Sequence, residues 1–163
     1  MKNIAFIGTS HIHTPNFISR VNSNNQINCI GVWDKDKNRS KSDSEKLQCK
    51  NYDNYIDLLK EPNLDGVIVC SETNLHYELV KKITEHKKHC FIEKPLGIRK
   101  KDSFEMANLI ESSKIIFQTG YFMRSNPIYI KLKELITANY FGEISRIRLV
   151  NCHDGIKIGR AHV

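Results

Sequence analysis

A lysine closes one of the short apolar runs of this chain. Cys90-Phe91-Ile92 reads as a buried strand and passes directly into Glu93-Lys94-Pro95-Leu96-Gly97. An ammonium at the carboxyl end of a buried strand is costly to desolvate unless it has a task there. Ligands of open α/β sheets bind just outside those strand ends. Pro95 removes an N–H and confines Lys94 to extended backbone, so the turn can hold the amine over a crevice. Lys94 is therefore the first candidate for a proton donor or substrate anchor.

A second group of residues points to the same end of the sheet. The run at 3–7 ends in Gly8-Thr9-Ser10-His11-Ile12-His13 and leads into a helical pattern. A dinucleotide fingerprint asks for G-x-G-x-x-G/A at such a place. Gly8 fits, Ser10 replaces the second glycine and His13 the third. Backbone N–H groups and the helix dipole at residues 14–16 can still receive a pyrophosphate, with the Ser10 hydroxyl as a further donor. Thr9, His11 and His13 belong to the same turn and are counted with it. Asp34 follows Gly8 by 26 residues and ends the next apolar run. A carboxylate there accepts from both ribose hydroxyls and repels a 2′-phosphate, which favours NAD. Lys35, Lys37 and Arg39 soften that preference and keep NADP open.

Two further loops carry polar groups. Ser71-Glu72-Thr73-Asn74-Leu75-His76 follows a strand at 66–70, and Thr73 or Asn74 can cap the next helix. Ser71, Glu72, Asn74 and His76 are candidates to touch the cofactor, although His76 on the first turn equally suits a structural hydrogen bond. Glu93 and Lys94 complete that set. Arg124, within Gly120-Tyr121-Phe122-Met123-Arg124-Ser125-Asn126-Pro127, suits a phosphate or a carboxylate. His11 and His13 invite a metal, but they lie two apart on a turn with no obvious third ligand, so no metal is expected.

These residues need a scaffold that gathers strand ends. Apolar runs at 3–7, 27–33, 66–70, 90–92 and 115–119 alternate with helical patterns at 15–22, 42–50, 54–59, 75–86, 101–113 and 128–138. Thr14 is the expected N-cap of the first helix, and Pro15 its first turn. Near-continuous apolar strands between amphipathic helices predict a parallel sheet covered on both faces, doubly wound in the Rossmann manner. Residues 145–152 alternate instead, with Ile147, Leu149 and Cys152 opposite Arg146, Arg148 and Asn151. This predicts the first strand of a second, truncated α/β domain, with an open and partly apolar edge. The expected division is a dinucleotide-binding domain over 1–122 and the start of a substrate domain over 123–157. Residues 158–163 match the in-frame translation of a common sequencing adapter and are expected to be a non-native tail.

Composition narrows the function classes. The chain has 163 residues, 40% of them hydrophobic, enough for a domain with a core. Its net charge of +7 is spread over helix faces, and the dense runs Lys87-Lys88 and Arg99-Lys100-Lys101 lack interleaved aromatics. A nucleic-acid partner is therefore not expected. The five cysteines show no C-x-x-C spacing, and Cys29, Cys70 and Cys90 sit in strand-like runs as small hydrophobes. No apolar run approaches the ~20 residues of a membrane span, and no signal peptide precedes Ile4. The expected setting is the cytosol, without membrane association.

Taken together, Gly8, Asp34, Asn74-Leu75-His76, Glu93-Lys94-Pro95-Leu96, Gly120-Tyr121, Arg124 and Pro127 resemble the Gfo/Idh/MocA oxidoreductases, the glucose-fructose oxidoreductase and inositol dehydrogenase group. Phe141-Gly142-Glu143-Ile144 looks like the entry to that family's second domain. The resemblance covers residues 1–157. It implies a nicotinamide-binding Rossmann domain, substrates such as sugars, cyclitols and related polyols, and a homo-oligomer. It also implies that Lys94 contacts substrate and aids proton transfer, and that Pro95 matches a proline often in cis. The family's aspartate and histidine of the substrate domain are not matched by His153-Asp154, so the chain alone is expected to be inactive. Two other readings stay open: a nucleotide-binding or regulatory module without catalysis, and glycoside cleavage by transient oxidation with tightly held NAD.

Overall fold

The computed structural model describes residues 1–150. It divides into two compact units between Gly120 and Tyr121. The first unit holds a six-stranded sheet of β1 (Lys2–Ile7), β2 (Ile27–Trp33), β3 (Lys50–Asn51), β4 (Gly66–Val69), β5 (His89–Ile92) and β6 (Phe117–Thr119). The spatial order is β3-β2-β1-β4-β5-β6, and every pairing is parallel. This is the doubly wound order of dinucleotide-binding sheets, with its reversal between β1 and β4.

The strands are apolar on both faces because helices cover both. Alternation within β1 divides the core. Ala5 and Ile7 join Leu58, Leu59, Val67, Val69, Leu79, Val80, Ile83, Ile92 and Met106 on one face. Phe6 joins Ile18, Val21, Cys29, Val32 and Leu47 on the other. The helices are α1 (Thr14–Asn22), α2 (Lys37–Lys46), α3 (Tyr55–Leu59), α4 (His76–Glu85) and α5 (Lys100–Ser113).

Several boundaries differ from the expectations, each for a local reason. The first helix begins at Thr14, so His13 and not Thr14 is its N-cap, and His13 makes no side-chain cap bond. α2 begins five residues earlier than 42, because Asp36 accepts from Asn38 N and Arg39 N and nucleates it. Neither Thr73 nor Asn74 caps α4. Thr73–Leu75 form a 3-10 turn that feeds the helix directly, without a side-chain cap. The last strand starts at Phe117 rather than 115, and β3 adds a two-residue strand at the far edge.

The second unit holds a 3-10 turn at Phe122–Ser125 and α6 (Pro127–Thr137), capped by the Asn126 side chain on Ile128 N. The expected strand at 145–152 is not found. Residues 145–150 have no strand pairing and are exposed. Alternation prepares a strand, but a ladder partner makes one, and none is present among the described residues. Residues 151–152, like the expected tail at 158–163, lie outside the described residues.

Candidate active site

The turn after β1 is pressed against the turn after β4. Gly8 has φ +76°, and a Cβ there would overlap Ser71 Cβ and lie 2.7 Å from Ser71 Cα. Gly8 O accepts from Cys70 N at 3.2 Å, His11 N donates to Cys70 O at 2.9 Å, and the Ser10 hydroxyl reaches the same oxygen at 3.4 Å. Glycine is needed here both for the left-handed backbone and for the close approach. The turn then delivers α1, whose buried face is Thr14, Ile18 and Val21. Among the described residues Ser10 N–H and Ile12 N–H have no hydrogen-bond partner. Two unpaired donors beside a helix N-terminus fit the pyrophosphate of a dinucleotide.

Asp34, at the end of β2, is almost fully buried. Its Oδ2 accepts from Thr9 N at 2.6 Å, from the Thr9 hydroxyl at 3.2 Å and from Arg39 Nε at 3.0 Å. Its Oδ1 accepts from Asp36 N at 2.8 Å and Arg39 Nη2 at 2.7 Å. Burial alone would push this carboxyl up. The bonds from Arg39, Asp36 and Thr9 outweigh it and hold the group below the usual carboxylate range. Glu72 stands beside this pair, 3.0 Å from Lys35 Nζ and 3.9 Å from Arg39 Nη2. Arg39 thus caps the acid expected to meet ribose.

β5 delivers Glu93 and Lys94. Glu93 N donates to Val69 O at 2.9 Å, and Glu93 Oε2 accepts from Lys94 N at 3.0 Å. The Lys94–Pro95 peptide is cis. The Lys94 side chain is half-buried, and among the described residues its ammonium has no hydrogen-bond or ion-pair partner. His76 is buried, with Nδ1 3.0 Å from Pro95 O and 3.2 Å from Leu96 O. Carbonyl oxygens only accept, so Nδ1 carries the hydrogen. Burial lowers the His76 pKa more than these contacts raise it. His76 therefore braces the lysine turn in neutral form. Burial also pushes the Cys70 thiol up to about 12, which rules it out as a nucleophile near neutral pH.

One contact was not legible in the chain. His13 Nδ1 lies 3.0 Å from Glu93 Oε1, and His11 Nδ1 lies 3.9 Å from the same oxygen. The structure thus brings a third group to the histidine pair across 80 residues of sequence. The His13 side chain reaches toward the end of β5, where it meets Glu93. Asn74 is exposed and lines a separate cavity of about 300 Å³ with Tyr77, Gly97, Ile98 and Arg99. Arg124 is exposed in the Phe122–Ser125 turn of the second unit.

Fold and site together define an α/β nucleotide-binding domain with a lysine at the crevice. Residues 2–121 match the GFO_IDH_MocA family, described as an oxidoreductase family with an NAD-binding Rossmann fold, and the chain belongs to that family. Over 121 residues it is 34% identical to myo-inositol 2-dehydrogenase of Thermotoga maritima, covering 74% of this chain and 36% of the relative. It is 26% identical over 134 residues to scyllo-inositol 2-dehydrogenase (NAD(+)) of Bacillus subtilis, covering 82% of this chain and 38% of the relative. The crystal structure of myo-inositol 2-dehydrogenase from Lactobacillus plantarum superposes with a TM-score of 0.73 at 25% identity, covering 88% of this chain and 43% of that one. The chain thus spans little more than a third of the length of these curated relatives. Among the described residues no helix is long and apolar enough to cross a membrane.

Proposed function

We propose that this chain is the nicotinamide-binding part of an oxidoreductase that oxidises a polyol of cyclitol or sugar type, or reduces the matching ketone. Bound NAD would supply the hydride acceptor at its nicotinamide C4. Ser10 N–H, Ile12 N–H and the start of α1 would hold the pyrophosphate. Asp34 and Arg39 would meet the adenosine ribose, with Arg39 leaving NADP open. Lys94 would hold the substrate hydroxyl and take or return its proton, with Glu93 and His76 fixing the turn that carries it.

The observation that carries this reading is Lys94 itself, half-buried at the end of β5 and without a partner among the described residues. A structural lysine at such a place would be paired. The inositol dehydrogenases among the relatives support the substrate class. The free thiols Cys29, Cys49, Cys70 and Cys90 support a reducing, cytosolic setting. We propose further that the chain alone binds the dinucleotide weakly and does not turn over.

Titrating NADH into the chain and following nicotinamide fluorescence tests the binding half, with a saturable change expected. An unchanged signal at millimolar NADH overturns it. The Lys94→Ala variant is expected to keep that signal. Formation of NADH from NAD and myo-inositol by this chain overturns the claim that it does not turn over alone.

A further inference from the structure

We propose that His11, His13 and Glu93 form a binding site for a divalent transition-metal ion of the zinc class. The three come from two places, the turn after β1 and the end of β5. One ligand atom from each lies within 4.8 Å of the others. Zinc bonds of about 2.0–2.2 Å in a tetrahedral shell hold neighbouring ligand atoms about 3.3 Å apart. The distances from Glu93 Oε1 to His13 Nδ1 and His11 Nδ1, 3.0 and 3.9 Å, bracket that value. His11 Nδ1 also accepts from His13 N at 3.2 Å, a bond that an ion at this nitrogen would replace.

The surroundings hold these groups in place. The Glu93 side chain is 3% exposed, and its other oxygen already accepts from Lys94 N at 3.0 Å, which turns Oε1 toward the imidazoles. Partners of this kind orient ligating carboxylates. The histidine backbones are fixed as well: His11 N donates to Cys70 O, and His13 O accepts from Asn16 N and Phe17 N. The rings meet edge to face at 4.7 Å. The His13 side chain is 45% exposed and offers a path of entry.

Two imidazoles and one carboxylate suit Zn²⁺, Co²⁺ or Ni²⁺, whereas Mg²⁺ prefers oxygen ligands and retained water. Three protein ligands leave a coordination position open to water or a small oxygen ligand, in the manner of catalytic rather than structural zinc.

The test uses the whole 163-residue chain without nucleotide, so its result is independent of NAD binding. Zn²⁺ is titrated by calorimetry and Co²⁺ by visible absorption. The expected result is one equivalent bound with micromolar or tighter affinity, no heat from Mg²⁺, and a Co²⁺ spectrum without a sulfur charge-transfer band. Glu93→Gln, His11→Gln and His13→Gln should each weaken binding at least tenfold. The cysteines and the other histidines are common to all variants and serve as the internal control. Should Glu93→Gln unfold, as circular dichroism would reveal, His13→Gln on its half-exposed side chain decides. The absence of binding to the unaltered chain, or unchanged affinity in His13→Gln, overturns the proposal.

Discussion

Arg39 grips Asp34 with two prongs, Nη2 at 2.7 Å from Oδ1 and Nε at 3.0 Å from Oδ2. The acid at the end of β2 is therefore already answered from both sides before any ribose arrives. Removing the guanidinium leaves a buried carboxylate with only Thr9 and Asp36 as donors. Arg39→Ala should cost about 2 kcal/mol in urea unfolding, within the range for taking one partner from a buried charged hydrogen bond. It also removes a cation suited to a 2′-phosphate. NADPH binding should weaken at least tenfold while NADH binding changes less than threefold. Equal losses for the two nucleotides would show that Arg39 plays no part in the choice.

Gly8 and Gly142 both have positive φ, +76° and +66°, but only one is crowded. Alanine at 142 meets nothing within 4 Å and should cost only the backbone penalty, about 1 kcal/mol. Alanine at 8 adds a collision with the Ser71 backbone that the turn cannot relieve without moving away from β4. Gly8→Ala should cost at least about 1 kcal/mol more than Gly142→Ala and abolish the NADH signal. Thermal melts of the two variants, compared with fluorescence titrations, check both halves. Equal melting temperatures would mean that the contact with Ser71 yields easily.

Much of this arrangement could be read in the sequence, and the gaps have physical causes. The bounds of β2, the acid that ends it and the lysine after β5 all follow from short apolar runs that break at a charged residue. α2 starts earlier than the sequence pattern indicates, because its residues, Lys37 to Lys46, contain no apolar side chain. Periodicity is silent on such a helix, and only Asp36 as a cap announces it. β3 is two residues long, too short to alternate. The contact of Glu93 with His13 depends on the crossover that sets β5 two strands away from β1. One sequence holds no record of that pairing. Residues 145–150 have the alternation of a strand, yet they lack a ladder among the described residues, so pattern alone misled there.

His76 gives the fold a dependence on pH whose sign follows from its burial. Its pKa is lowered in the folded chain, whereas the unfolded chain titrates near the ordinary value of about 6.5. Below about pH 6.5 the unfolded state therefore takes up a proton that the folded state refuses. Stability should fall as the pH drops from 7.5 to 5.5, by no more than about 1.4 kcal/mol per pH unit from this group. His76→Gln keeps a donor for the carbonyls of Pro95 and Leu96 but cannot titrate, so its urea midpoint should show a shallower slope over that range. An unchanged slope would assign the effect to other histidines.

Lys94 should matter little to stability, for the same reason that it suits the proposed role. Its ammonium has no partner among the described residues, so Lys94→Met removes no hydrogen bond and leaves the stem's packing nearly intact. The urea midpoint should shift by less than about 0.5 kcal/mol, as for substitutions away from paired or packed features. Glu93→Ala is the contrast. It removes the acceptor of Lys94 N and the partner of His13, both on a carboxylate that is 3% exposed. That variant should lose about 1–3 kcal/mol. If Lys94→Met instead proves as destabilising as Glu93→Ala, the lysine is bound into the fold, and its role as a group held ready for substrate fails.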